Sequence, residues 1–102
     1  MEISEAVLPA GHPTIALRLD NLAGTLGGLG RAEEALPLQR RALEISEAVL
    51  PAGHPTIALR MDNLAGTLGG LGRAEEALPL QRRALEVKVE IQRRRSGSND
   101  AG

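Results

Sequence analysis

Residues 2–43 recur as residues 44–85 with one difference in 42 positions, Leu19 in the first copy against Met61 in the second. A period between about 20 and 50 residues marks a solenoid or array, in which no unit buries its apolar face alone and stacked neighbours complete the core. Repetition this close also argues against catalysis. An active site gathers different residues from different elements, whereas here every reactive group appears twice in the same surroundings. Each copy carries four Arg against four Glu and one Asp, the balance of solvated helix faces.

Within the unit, Gly11-His12-Pro13-Thr14 reads as a turn and a helix start, with Pro in the first turn. Ile15, Leu19, Leu22, Leu26 and Leu29 then recur at steps of four and three, one stripe of an amphipathic helix that Ala16 and Ala23 widen. Gly27-Gly28-Leu29-Gly30 ends it, with Gly30 suited to the left-handed position past the last turn. A second helix is predicted from about Arg31, with Ala35, Leu38, Ala42, Ile45 and Val49 as its seam and Leu36, Leu43 and Leu50 beside it. Glu33 and Glu34 in its first turn suit the helix dipole. It stops at Leu50-Pro51-Ala52-Gly53. Pro37 removes one intrahelical bond early in this helix and predicts a slight bend there.

The chain has no Phe, Tyr, Trp or Cys. Disulfide scaffolds, thiolate metal sites, cysteine nucleophiles and base-stacking platforms all lose support. Its core must come from 17 Leu and 15 Ala, a thin supply for a small domain. A net charge of −1 supplies no field for nucleic acid or acidic membranes, and no apolar run approaches a membrane span. The expectation is a cytoplasmic protein with no nucleic-acid, membrane or small-molecule partner and no cofactor.

At Asn21-Leu22-Ala23, Gly30-Arg31-Ala32-Glu33-Glu34-Ala35 and Ala42-Leu43-Glu44 the unit resembles a tetratricopeptide repeat, closest to the 42-residue variety of kinesin light chains and many bacterial arrays. Where that family has large, Leu, small and large residues on its first helix, this chain has Leu19, Leu22, Ala23 and Leu26; the turn glycine is similar to Gly30 and the two small residues to Ala35 and Ala42. The usual aromatics are missing, with Leu19, Ala32 and Gln39 in their places. The resemblance implies an all-α, right-handed helical-hairpin solenoid whose first helices line a concave groove, and a protein or peptide as partner. The residues beyond the common length fit as extra turns of the second helix, about Glu44 to Leu50.

In this family the groove is read by polar residues of the first helix. The matching positions are Asp20, Asn21 and Gly24, repeated as Asp62, Asn63 and Gly66, with glycines at 27, 28, 69 and 70; Arg18 and Arg60 are further partner-binding candidates, whose charge opposes that of the two Asp if they point into the groove. An Asn there bonds an extended peptide through both amide functions. The alternative is that Asp20 and Asn21 are solvated or join helix to helix. If they bind, the two Asp favour neutral or basic peptides. His12 and His54 read as turn or cap residues, since a metal needs more donors than these turns supply. The arginine pairs read as solvated faces, and the glycine-rich turn lacks the strand and the Lys-Ser/Thr of a phosphate loop.

Residues 2–12 duplicate the end of a second helix and the turn after it, so they are expected to be the remnant of a preceding unit; 13–54 and 55–95 are the two repeats, and 96–102 is expected to be a disordered tail. The chain reads as the end of a longer array or one trimmed to about two units. Identical interfaces make its open ends complementary. Ile3, Val7 and Leu8 at one end and Val87 and Ile91 at the other are the candidate self-association residues of a homo-oligomer, formed by end-to-end stacking or helix exchange.

Overall fold

The computed structural model describes residues 12–101, with side chains through Ser96. Four helices follow one another: α1 (Pro13–Gly28), α2 (Ala32–Val49), α3 (Pro55–Gly70) and α4 (Ala74–Ala101). α1 pairs with α2 and α3 with α4, and α2 also packs on α3. The architecture is the all-α helical-hairpin solenoid that the repeat predicts.

The helix starts follow from their side chains. His12 Nδ1 accepts from the Thr14 amide at 3.1 Å and His54 Nδ1 from the Thr56 amide at 3.0 Å, so each imidazole satisfies a backbone donor left free in a first turn. A Pro follows each in the first helical turn. The turn between the helices of a hairpin is equally determined. Gly30 has φ of 77°, which lets the Arg31 amide bond the Leu26 carbonyl at 2.8 Å and the Gly30 amide bond the Gly27 carbonyl at 3.1 Å. That double closure terminates α1, and Gly72 with φ of 78° repeats it after α3. Pro37 and Pro79 lie inside α2 and α4 without ending either helix. Both are exposed and near the helix start, so the carbonyl each leaves unpaired is within reach of solvent.

The core has two parts. Ile15, Ala16 and Leu19 of α1 meet Ala42 and Ile45 of α2, with Leu38 alongside. The larger part surrounds α3, where Ile57, Ala58, Met61, Leu64, Ala65 and Leu68 are enclosed by Leu36 and Leu43 of α2 and by Ala77 and Ala84 of α4. Alanines such as Ala16, Ala42 and Ala84, at most 1% exposed, let the helices approach closely. Leu29 and Val49, placed on the predicted apolar seams, are exposed instead. Each sits at or beyond the last turn of its helix, where no partner helix runs alongside. α4 continues to Ala101, past Arg95, where the sequence predicts order to end. Glu90 pairs with Arg93 and Arg94 one turn on. The expected remnant at 2–12, with Ile3, Val7 and Leu8, lies outside the described residues but for His12.

Candidate functional site

The polar residues of the first helices divide into a closed cluster and an open face. Asp20 of α1 is buried, and its Oδ2 accepts from Arg60 Nη1 of α3 at 2.7 Å and from Asn63 Nδ2 at 2.7 Å. The Asp20 and Arg60 side chains are 6% and 7% exposed, so this ion pair is sealed between the repeats. From α2, Gln39 Nε2 reaches the Asn63 carbonyl at 3.3 Å, which also accepts from Thr67 Oγ1 at 3.3 Å. Gln39 stands where the family carries an aromatic ring, and its burial leaves Oε1 without a hydrogen-bond partner; Arg60 Nε is in the same condition. Three of the candidate groove residues, Asp20, Arg60 and Asn63, thus hold one repeat against the next.

Their counterparts in the other repeat sit in different surroundings. Arg18 and Asn21, equivalent to Arg60 and Asn63, are exposed on α1, and Arg18 has no ion-pair partner among the described residues. Asp62, equivalent to Asp20, is half-buried and pairs with Lys88 of α4. Lys88 is the only lysine in the chain and stands where the first repeat has the buried Ser46. Both carboxylates of the helix face are therefore neutralised within the chain. The expectation that Asp20 and Asp62 favour basic ligands loses its basis: the charge left open on α1 is that of Arg18.

The face both repeats leave to solvent runs along Pro13, Leu17, Gly24 and Gly28 of α1 and along Pro55, Leu59, Gly66 and Gly70 of α3. Steps of four and seven place these on one side of each helix. Leu17 and Leu59 are 48% and 51% exposed, the same apolar residue uncovered at the same position twice. A Cβ built on Gly24 or Gly66 would meet no atom within 4 Å, so these glycines leave bare backbone open rather than admit a close neighbour. A cleft of about 260 Å³ opens between the starts of α1 and α3, lined among others by Leu17, Leu50, Thr56 and Arg60. Sequence periodicity passed over Leu17 and Leu59; the signal was an apolar residue off the buried stripe in both copies.

The opposite side of the molecule is charged. Arg40 faces Glu76 at 3.7 Å and Arg83 faces Glu47 at 2.8 Å, tying α2 to α4 above a cleft of about 500 Å³ floored by Leu43, Leu64 and Leu68. Arg31 grips Glu34 through two hydrogen bonds of 2.6 and 2.7 Å, and Arg73 grips Glu76 in the same way. The hydrogen bonds from Arg31 hold the Glu34 carboxyl below its ordinary value and raise the guanidinium in turn. Val87 packs half-buried against the α3 core, and Ile91 is half-buried one turn further. No helix of the described residues is long and apolar enough to cross a membrane.

A search of curated proteins gives no match. The chain does match the family described as Tetratricopeptide repeat over residues 13–88, which takes in α1, α2, α3 and the part of α4 that ends at Lys88. With paired helices, left-handed glycine turns and small residues at the helix crossings all in register with that match, the chain belongs to the tetratricopeptide repeat family.

Proposed function

We propose that this chain is a cytoplasmic, non-enzymatic scaffold that takes an extended peptide or protein segment along the open faces of α1 and α3. Tetratricopeptide repeats mediate protein–protein interaction in general. The observation that carries the finer reading is the duplicated exposed strip, in which Leu17 and Leu59 offer apolar footholds one repeat apart beside the open backbone at Gly24 and Gly66. Asn21, exposed between them, bonds a peptide backbone through both amide functions, and Arg18 accepts a carboxylate. With Asp20 and Asp62 neutralised internally, neutral or mildly acidic segments carrying spaced apolar residues are the fitting ligands. Displayed-peptide selection on the wild-type chain, repeated on a Leu17→Glu/Leu59→Glu variant, tests this. Enriched peptides should bind the first and not the second; equal capture by both would overturn it.

A second reading, that the chain associates with itself, is favoured by Leu78 and Leu85, exposed on α4 where the equivalent Leu36 and Leu43 are buried.

A further inference from the structure

Because the repeats are nearly identical in sequence, a difference in burial between equivalent residues reports what a neighbouring hairpin covers. On α3, Arg60, Leu64 and Leu68 are closed off at the junction with the first hairpin. Their equivalents on α1, Arg18, Leu22 and Leu26, are exposed or half-buried. On α2, Leu36 and Leu43 are 6% and 7% exposed within the α3 core, while Leu78 and Leu85 on α4 are 45% and 60% exposed. One end of the molecule thus carries the half of the α2–α3 junction that the other end lacks.

We propose that copies of this chain stack head to tail by using that junction a second time, with Leu78, Leu85 and Asp62 of one copy seated on Leu22, Leu26 and Arg18 of the next. The inference rests on the self-association reading and names its surfaces. Charge matches as well as shape, since Asp62 meets Arg18 and Asn21 in the way that Asp20 meets Arg60 and Asn63. Lys88 is the built-in competitor. It holds Asp62 from a side chain 56% exposed, so the bond it must give up is a weak surface pair. A second competitor lies ahead of α1: residues 2–12 repeat 44–54 residue for residue, so in a stack this segment and α4 beyond Glu86 contend for one place. Both make the stack weaker than the internal junction. The contact is heterologous, so it propagates into an open filament rather than a closed dimer.

Sedimentation equilibrium across a wide concentration range, on the full chain and two variants, tests the assignment. Arg18→Asp sets two carboxylates against each other at the joint, and Asp62→Arg sets two cations, so each variant alone should associate at least about tenfold more weakly than wild type. Mixed in equal amounts they should regain assembly, because one joint is then wild type and the other is the same pair reversed. Arg18 is exposed and Asp62 half-buried, and unchanged helical circular dichroism confirms that the variants fold. Wild-type mass rising with concentration while both single variants rise equally would overturn the junction and leave self-association standing. A wild-type chain that stays monomeric throughout would overturn self-association and this junction with it.

Discussion

The sealed pair between the repeats offers a controlled experiment, because the same aspartate occurs twice in nearly the same helix with different surroundings. Asp20→Ala strips a buried guanidinium of its only carboxylate, leaves Arg60 with unpaired Nη1 beside an already unpaired Nε, and takes the acceptor from Asn63. Breaking a buried pair from one side costs about 3 to 5 kcal/mol. Taking the lower figure, the expected loss is about 3 kcal/mol. For a domain whose whole stability is on the order of 5 to 10 kcal/mol, that is a large fraction. Asp62→Ala breaks only the exposed pair with Lys88 and should cost no more than about 1 kcal/mol. Urea unfolding followed by helical circular dichroism reads both, since the chain has no Trp or Tyr for fluorescence. With a slope on the order of 1 to 1.5 kcal/mol per molar, Asp20→Ala should lower the midpoint by roughly 2 to 3 M and Asp62→Ala by no more than about 1 M. Because this junction couples one hairpin to the other, the Asp20→Ala transition should also broaden. Replacing the pair by Asp20→Leu with Arg60→Met should restore most of the stability, as an apolar junction needs no compensated charge. Equal losses at Asp20 and Asp62 would refute the reasoning, by showing that the effect belongs to the helix and not to the joint.

Three further outcomes follow from single side chains. Gln39→Met keeps the volume, removes the orphaned Oε1 and sacrifices one long bond to a carbonyl that Thr67 still serves, so it should stabilise the chain by about 1 kcal/mol in the same urea assay. Gly24→Ala and Gly66→Ala lie within helices on open surface and should each add roughly 0.5 to 1 kcal/mol; destabilisation would mean that a neighbour approaches these glycines closely. Arg31 lowers the Glu34 carboxyl, so this pair contributes stability that is present above the unfolded carboxylate value and lost as pH falls through the folded one. Carboxyl NMR titration should show Glu34 moving upward in Arg31→Gln, and an unchanged curve would count against the pair.

The hairpins were legible in the sequence because their determinants are local. His-Pro starts, glycine stops and apolar residues at three and four act within one turn of the residues they affect, and the structure places the ends of α1, α2 and α3 within a residue or two of the reading, while α4 runs six residues past it. Site chemistry was less legible for the opposite reason. Asp20 and Asp62 are the same letter in the same local sequence, yet one is locked to Arg60 from the next helix pair and the other to Lys88 from a helix that has left the repeat. Within a turn of them only Leu19 and Met61 differ, and both are buried apolar residues that do not select the aspartate's partner. Leu17 and Leu29 show the same limit, since periodicity marks a residue as apolar and cannot say whether a partner helix passes over it.

The place where the second copy departs from the first is therefore informative. Up to Glu86 the copies agree but for Leu19 and Met61, and every position of the second helix beyond it differs, beginning with Val87, Lys88 and Val89 in place of Ile45, Ser46 and Glu47. Ile45 to Val87 keeps an apolar residue against the hairpin core, so packing of α4 on α3 survives. Glu47 holds Arg83 of the next second helix, and Val89 leaves the second copy without the equivalent carboxylate. Ser46 is buried, whereas a lysine at the same position must send its ammonium outward, and the carboxylate it reaches is the one that a following repeat's arginine would take. Lys88→Ser should thus leave the fold intact, free Asp62 and strengthen head-to-tail association, visible as a higher sedimentation mass at equal concentration. If mass falls instead, Lys88 is a contact of the joint and not its competitor.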